Sequence, residues 1–495
     1  MRRVEVVSAH LSGATGRAGC AWRLGVAACA SGNAGGVPAD VGSLPLPPTC
    51  VAANGVFPTF PEMLEHMKQV GGVFSYEIIG GRRITIVADP ELYEVVFSPD
   101  EMGATPGVDD AVKVEMDKLA HAWFGIPFPI VSHTKPSLGA VRAAIGPQKV
   151  GALVNKVGDG VKQLFDRLAP QGTVDLVKVA HGTFWPVNAA MFGEATISEA
   201  RCPGAEGWFH AFDEYIPQVT GGMPASMFDE MQEAAAKVVD MFQRSIEAGN
   251  HLDQEQCPVL HDRFLPIPQD KLAGYSSKEK AQFMLSLFWA PQANTLPMTW
   301  WTLAHILADP RVQRLVEREA RGSAFRDAPH STGGAWPYDE HALPYINACM
   351  KEVLRMYIAN LTHRSVARDI AVRTGGKWVR IPKKDMLSVA SYTRHYDPDV
   401  YKDPHVFWPE RWLGEEEHTL KDWWPFALGK YSCSGKFLAQ GEIPLLVALF
   451  FRDFDATIGQ QKLPNADWEK VVASVRPEGW PYNVGLNVTY TRRAA

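Results

Sequence analysis

The sequence predicts a mainly α fold with a minor β region, and three features carry that reading. Apolar residues recur at helical spacing from Val150 to about Leu168, from Leu176 to Phe192, over 205–215 and 226–248, and from Lys278 to Asp309. Strand-type alternation of β-branched residues is confined to short runs, Val73–Ile79 and Arg83–Ala88, parted by Gly80-Gly81 as a hairpin turn. Late in the chain a loop with two glycines around one cysteine, Gly429-x-x-x-Cys433-x-Gly435, opens an apolar-periodic run that reaches Phe451.

Composition narrows the function classes. The 495 residues are 46% hydrophobic and 21% charged, an ordinary globular balance. A net charge of −6 with no long basic run argues against nucleic acid as a partner. The cysteines (Cys20, Cys29, Cys50, Cys202, Cys257, Cys349, Cys433) show neither metal-type spacing nor a paired framework. That fits free thiols in a reducing, intracellular compartment. Length alone suggests about three domains. The motifs described below are spread along the chain and must converge on one site, so a single domain over 49–495 is expected.

Residues 1–48 differ from the rest. They hold Arg2, Arg3, Arg17 and Arg23, only two acids (Glu5, Asp40), and much Ala, Gly and Ser. Their most apolar part, Gly19–Ser31, contains Arg23 and falls far short of the roughly 20 apolar residues of a membrane span. The stretch reads as a disordered or transit-like leader, or equally as a gene-start artefact. Leu44-Pro-Leu-Pro-Pro48 reads as a stiff linker. A short helix over Phe60–Val70, the hairpin, and a helix from Asp89-Pro90 to near Phe97 follow. Residues 102–150 give no clear period. Ile216–Pro224 reads as an apolar-leaning connector between two helices.

The most telling helix is the longest. Its core is Phe288-Trp-Ala-Pro-Gln-Ala-Asn-Thr-Leu-Pro-Met-Thr-Trp-Trp301, and at this length it spans roughly 45–50 Å. Pro291 and Pro297 each lack an N–H and clash with the carbonyl four residues back, which frees the carbonyls of Leu287 and Ala293. A free carbonyl beside Asn294 and Thr295 makes a small polar notch in an apolar wall, with room for dioxygen and a water. The plainer alternative is a kinked core helix whose Thr bonds its own backbone.

The cysteine loop suggests metal chemistry. Backbone N–H groups and a helix N-terminus beside Cys433 favour its thiolate. A thiolate so held is a good axial ligand for haem iron and favours O–O cleavage. The glycines let a flat macrocycle approach the backbone, and Phe426 can pack near the sulfur. Taken alone, a single Cys is as readily a small buried hydrophobe.

It does not stand alone. Phe426-x-x-Gly429-x-x-x-Cys433-x-Gly435 resembles the haem-binding loop of the cytochrome P-450 (haem-thiolate) family. Three further motifs precede it in the family's order: the long helix, Ala342–Tyr357 with Glu352-x-x-Arg355, and Phe407-Trp-Pro-Glu-Arg411-Trp. The resemblance covers roughly residues 50–490 and implies the cytochrome P-450 fold. It implies Cys433 as the metal ligand, with Phe426, Gly429 and Gly435 shaping the loop. It makes Glu352, Arg355 and Arg411 a buried network bracing that loop, since a Glu and two Arg can fork bidentate hydrogen bonds. Arg364, in Thr362–Ile370, matches an arginine that binds a haem propionate. Tyr431 stands where the family has another such Arg, which leaves Lys430 as the nearby cation. Trp123, His133 and Arg142 fall where the family's haem-contacting helix lies. By that placement Arg142 is a cofactor contact, though each of the three taken singly reads as structural.

In the long helix the family's acid–Thr pair becomes Asn294 and Thr295. Gln-Ala-Asn-Thr-x-Pro is most similar to the sterol 7α-hydroxylase and prostacyclin synthase branch, and the Thr favours the hydroxylase side. The implied protein is a monooxygenase with haem b (iron protoporphyrin IX), Thr295 and Asn294 managing dioxygen and protons. Its partners would be a lipophilic, sterol-like or fatty substrate, dioxygen, and a separate electron donor, an NADPH-dependent reductase or a ferredoxin. In the family a connector such as Ile216–Pro224 covers the substrate entrance and can dip into a membrane. That implies peripheral contact with the endoplasmic reticulum or an organelle membrane; a plain mobile loop is the alternative. The rival within the fold is an isomerase or dehydratase acting on a lipid peroxide without a reductase. A non-enzymatic haem-binding sensor is the rival outside it, and Thr295 and the polar notch count against that.

Overall fold

Two glycines bring together the helices on which the site rests. A Cβ at Gly441 would come within 2.5 Å of Val154 Cγ2, and one at Gly158 within 2.7 Å of Leu445 and Trp336. Any side chain at either position would force apart the helices around Val154 and Leu445. The computed structural model describes residues 40–52, 58–78, 82–93, 124–125, 145–220, 223–253, 257–259, 261, 274–322, 325, 335–366, 368–414, 422–427, 432–468 and 474–493. The leader 1–39, the Gly80-Gly81 turn, Trp123, His133, Arg142, Gly429, Lys430 and Tyr431 lie outside the described residues.

The helices in chain order are α1 (Phe60–Val70), α2 (Val150–Asp166), α3 (Leu176–Ala180), α4 (Phe184–Phe192), α5 (Ala205–Asp213), α6 (Ile216–Thr220), α7 (Asp229–Glu247), α8 (Ser277–Ala308), α9 (Pro310–Ala320), α10 (Pro344–Tyr357), α11 (Ser391–His395) and α12 (Lys436–Asp453). The strands are β1 (Thr49–Cys50), β2 (Val73–Ile78), β3 (Arg82–Val87), β4 (Gln171–Asp175), β5 (Leu361–Ser365), β6 (Ile370–Thr374), β7 (Lys377–Ile381), β8 (Met386–Ala390), β9 (Phe454–Thr457), β10 (Ala466–Asp467), β11 (Arg476–Pro477) and β12 (Asn487–Arg492).

The fold is mainly α with a minor β region, as expected. A five-stranded sheet in the order β1-β2-β3-β8-β5 holds the predicted hairpin, with Val73 opposite Val87 and Ser75 opposite Thr85. Asp385 locks its parallel β3–β8 pairing by accepting from Arg83 Nε (2.8 Å) and Thr85 Oγ1 (2.9 Å). A second sheet, β4-β12-β9, joins mid-chain to C-terminus. The proline-rich linker is tied down at two points: Arg380 N donates to Pro45 O and Ser75 N to Pro48 O, both at 2.8 Å.

Helix α8 is the axis of the molecule, packed by α3, α7, α10 and α12. A capping box of Ser276 and Glu279 starts it, and its 32 residues run about 48 Å through both prolines. Trp300 and Trp301 are fully buried in it, Trp301 stacked on Tyr357 of α10 at 4.0 Å.

Three elements differ from expectation. The single helix expected over Leu176–Phe192 is broken by a 3-10 turn, His181–Thr183. Gly182 packs there against Leu164 and Leu446, within 3.3 Å of where a Cβ would stand. The helix expected from Asp89 begins as a 3-10 turn, Pro90–Leu92, and its remainder lies outside the described residues. The connector Ile216–Pro224 opens with the helical turn α6 in place of a plain loop, because Ile216 and Val219 find core to bury against.

Candidate active site

The cysteine loop sits between a braced strand region and the N-terminus of α12. Cys433 N donates to Phe426 O at 2.8 Å, which closes the loop. The chain turns at Ala427 with φ 55°, a left-handed conformation unusual for alanine. Gly435 is the N-cap of α12, and a Cβ there would meet Cys433 Sγ at an ordinary 3.8 Å. Phe426 is half-buried, its ring edge-on to Trp423. Among the described cysteines, Cys50, Cys202, Cys257 and Cys349 are buried, and burial pushes their thiols up. Cys433 is exposed at a helix start. Its setting differs from that of the four buried thiols, and a helix start favours the thiolate.

The brace forms as one connected unit. Arg355 forks onto Glu352, Nε to Oε2 at 3.0 Å and Nη2 to Oε1 at 2.8 Å, and both residues are fully buried. Arg411 Nε donates to Glu352 Oε1 at 3.0 Å, and Trp412 Nε1 to Oε2 at 2.9 Å. Arg355 Nη1 reaches on to the His395 carbonyl at 2.7 Å. The His395 ring in turn accepts at Nε2 from Trp424 N, 3.2 Å, at the head of the cysteine loop. An unbroken hydrogen-bond path therefore runs from α10 through Arg355 and His395 to the loop. Glu319 caps α10 by accepting from Tyr345 N and Ile346 N, both 2.8 Å. Burial holds the His395 imidazole neutral, at about 3.

Thr295 and Asn294 differ in setting. Asn294 is half-buried, whereas Thr295 is buried against α12. Beside the Thr295 side chain lies Glu442, fully buried, with its Oε2 lacking a hydrogen-bond partner. Burial lifts the Glu442 carboxyl to about 8, only partly offset by Thr295. This acid stands on the neighbouring helix, nine residues past Cys433. Sequence reading missed it because it heads the apolar run Glu442-Ile-Pro-Leu-Leu-Val-Ala-Leu449, and an acid joined to such a run was the available signal.

The notch is partly filled. The Ala293 carbonyl freed by Pro297 accepts from Ser474 Oγ at 3.2 Å. On β5, the Arg364 side chain is buried, with Nη1 donating to the His363 carbonyl at 2.7 Å.

Comparison with known proteins follows the geometry. The family model "Cytochrome P-450" matches residues 207–480, more than half of the chain. The chain belongs to the cytochrome P-450 family. It is similar to cytochrome P-450 7A1 of Rattus norvegicus, 27% identical over 288 residues that cover 54% of this chain and 56% of that protein. Cholesterol 7-alpha-monooxygenase of Cricetulus griseus matches to the same extent, at 27%. The 24-hydroxycholesterol 7-alpha-hydroxylase of Homo sapiens is 22% identical over 349 residues, 68% of this chain and 72% of that protein. The chain thus spans little more than half the length of the rat and hamster relatives it matches. Family membership implies a haem-iron cofactor.

The residues present fit that group. An exposed thiol at a helix start would hold the iron, and a buried guanidinium at Arg364 would suit an anionic propionate. Among the described residues no helix is long and apolar enough to cross a membrane.

Proposed function

We propose that this protein is a haem-thiolate monooxygenase that hydroxylates a sterol-like lipophilic substrate. Electrons would come from a separate donor protein, and haem b would be held by Cys433 and Arg364. The observation that carries the reading is Thr295 on α8 beside the buried acid Glu442 on α12. When bound, the haem supplies dioxygen activation. The chain's own part is to exclude water and to hold protons at defined atoms. The Thr295 hydroxyl is a donor in an apolar wall. Glu442 carries its proton near neutral pH and can pass it to that hydroxyl. Asn294 cannot ionise, so it orients. The relatives named for 7-alpha hydroxylation of sterols support the substrate class.

The test is purified, haem-loaded protein with a reductase and NADPH, screened against sterols and fatty hydroperoxides with oxygen uptake recorded. Hydroxylated sterol in step with oxygen and NADPH consumption is the expected result. Rearrangement of a lipid hydroperoxide without reductase would instead assign the isomerase reaction. Cys433→Ser should remove the thiolate-type absorption shift of the reduced carbon monoxide complex.

A further inference from the structure

Away from the cysteine loop, three metal-ligating side chains meet where α3 ends. His181 opens the 3-10 turn that follows α3, and Glu206 and His210 lie one helical turn apart on α5. One ligand atom from each of the three lies within 4.8 Å of the other two. The imidazoles stack at 4.8 Å and 19°, and their exposures are only 8% and 5%. His181 Nδ1 is 2.6 Å from Glu206 Oε1. With Nδ1–H donating to that carboxylate, the lone pair of His181 is left on Nε2. Both Nε2 atoms, of His181 and of His210, are buried with no hydrogen-bond partner. Most buried histidine nitrogens find a partner; here two are left open on a pair of stacked rings.

We propose that His181, His210 and Glu206 form a binding site for a divalent transition cation, zinc in the first instance. The ion would be taken by the two imidazole Nε2 atoms, with the Glu206 carboxylate holding His181 from behind. Imidazole with carboxylate support suits Zn²⁺, and the carboxylate–histidine–metal arrangement fixes tautomer and ring angle. Ligands of a tetrahedral zinc stand about 3.3 Å apart, closer than the 4.8 Å between the ring centroids, so the nearly parallel rings would tilt toward each other on binding. Glu206 is partly exposed, 34% at its side chain, so the carboxylate that orients His181 stays hydrated on its outer side. Trp480 and Tyr482 wall the imidazoles, edge-on at 5.2 and 5.9 Å. The nearby Arg476 is neutralised by the buried Asp213 at 2.8 Å, so its charge is not left facing the ion alone. A bound ion would staple the turn after α3 to α5. Asp213 of α5 also accepts from Trp289 of the central helix at 2.7 Å.

The experiment uses the haem-loaded full chain, stripped with a chelator and titrated with Zn²⁺ against a chromophoric competitor. One equivalent should bind. It should be lost in the double variant His181→Gln/His210→Gln and weakened about 10–100-fold in Glu206→Gln. The zinc form should melt at a higher temperature than the stripped form, an increment absent in the double variant. Zinc K-edge absorption on the unaltered protein should show imidazole scattering, a readout that needs no variant to fold. Absence of a bound equivalent, a double variant that binds as before, or a zinc shell without imidazole would each overturn the proposal.

Discussion

Ser474 Oγ donates to the Ala293 carbonyl across 181 residues of sequence, and it does so where Pro297 has removed that carbonyl's helical partner. The distortion of α8 is thereby satisfied from outside the helix. The same segment is stitched further. Val475 N donates to Tyr357 O at 2.8 Å, and Val475 O accepts from Trp301 Nε1 at 2.9 Å. The C-terminal region thus ties the central helix down where Pro297 interrupts its hydrogen-bond ladder.

Ser474→Ala should therefore cost more than the loss of one surface hydroxyl. It strands a buried carbonyl, worth about 1–3 kcal/mol. Denaturant unfolding of the haem-loaded protein should show a lowered midpoint with an unchanged slope. An unaltered midpoint would mean that the carbonyl finds another donor and that Ser474 is dispensable.

The brace makes a different prediction. Removing either partner of the buried Glu352–Arg355 pair leaves an uncompensated charge, at about 3–5 kcal/mol. Glu352→Ala and Arg355→Ala should lose haem and folded protein together rather than merely slow turnover. His395→Phe removes the acceptor for Trp424 N and keeps the backbone carbonyl that Arg355 uses. It should leave a folded protein that releases haem faster, read by transfer of haem to an apo-globin acceptor. Well-folded, haem-retaining Ala variants would reduce the pair to an ordinary ion pair.

Much of this fold was legible because helix period and strand alternation are local properties. The two hairpin strands, the extent of α8 and the body of α7 follow from spacing. The break at His181–Thr183 was not, because Gly182 yields there to Leu164 and Leu446 from other helices. The site divides the same way. Glu352-x-x-Arg355 announces itself within one helical turn, whereas Glu442 and Ser474 matter only through partners on α8, far away in sequence. Nothing local to Ser474 marks it. Glu442 carries one mark, its charge in an apolar run.

Acid should unfold the protein through histidines that the fold holds neutral. Burial lowers His305 and His363 from 6.5 to about 4 and His395 to about 3. Their unfolded forms take up protons first as pH falls. The stability they contribute is fully present above about pH 6.5 and is lost progressively as pH drops toward 4 and below. The sign is that of groups held neutral by the fold. Unfolding midpoints measured from pH 7.5 to 4.5 should fall steadily. Replacing His363, which pairs with Ser388 Oγ at 2.6 Å, by Gln should flatten that slope by about one proton. A slope unchanged in His363→Gln would mean that this imidazole is protonated in the folded state.

Glu442 has the opposite sign and separates the two chemistries. Its carboxyl is lifted from 4.5 to about 8, so between those values the folded protein holds a proton that the unfolded chain has given up. Stability must then fall as pH rises through that window, and Glu442→Gln should abolish the fall. The same proton is the one available to Thr295 in the hydroxylase reading. Thr295→Ala should keep substrate binding and reduction yet release hydrogen peroxide, with product well below NADPH consumed. A positioned donor of this kind is worth about 2.7–4 kcal/mol to a transition state. Glu442→Gln keeps the shape but cannot donate an acidic proton, so it should uncouple in the same direction. Asn294→Ala should be milder than either, because an amide only orients a neighbour. The peroxide-isomerase reading orders the variants the other way. Asn294→Ala would then abolish reductase-free rearrangement, while Thr295→Ala and Glu442→Gln would turn over almost normally. Assaying all three for coupled hydroxylation and for peroxide rearrangement decides between them, and tight coupling in Glu442→Gln would remove this carboxyl from the proton path.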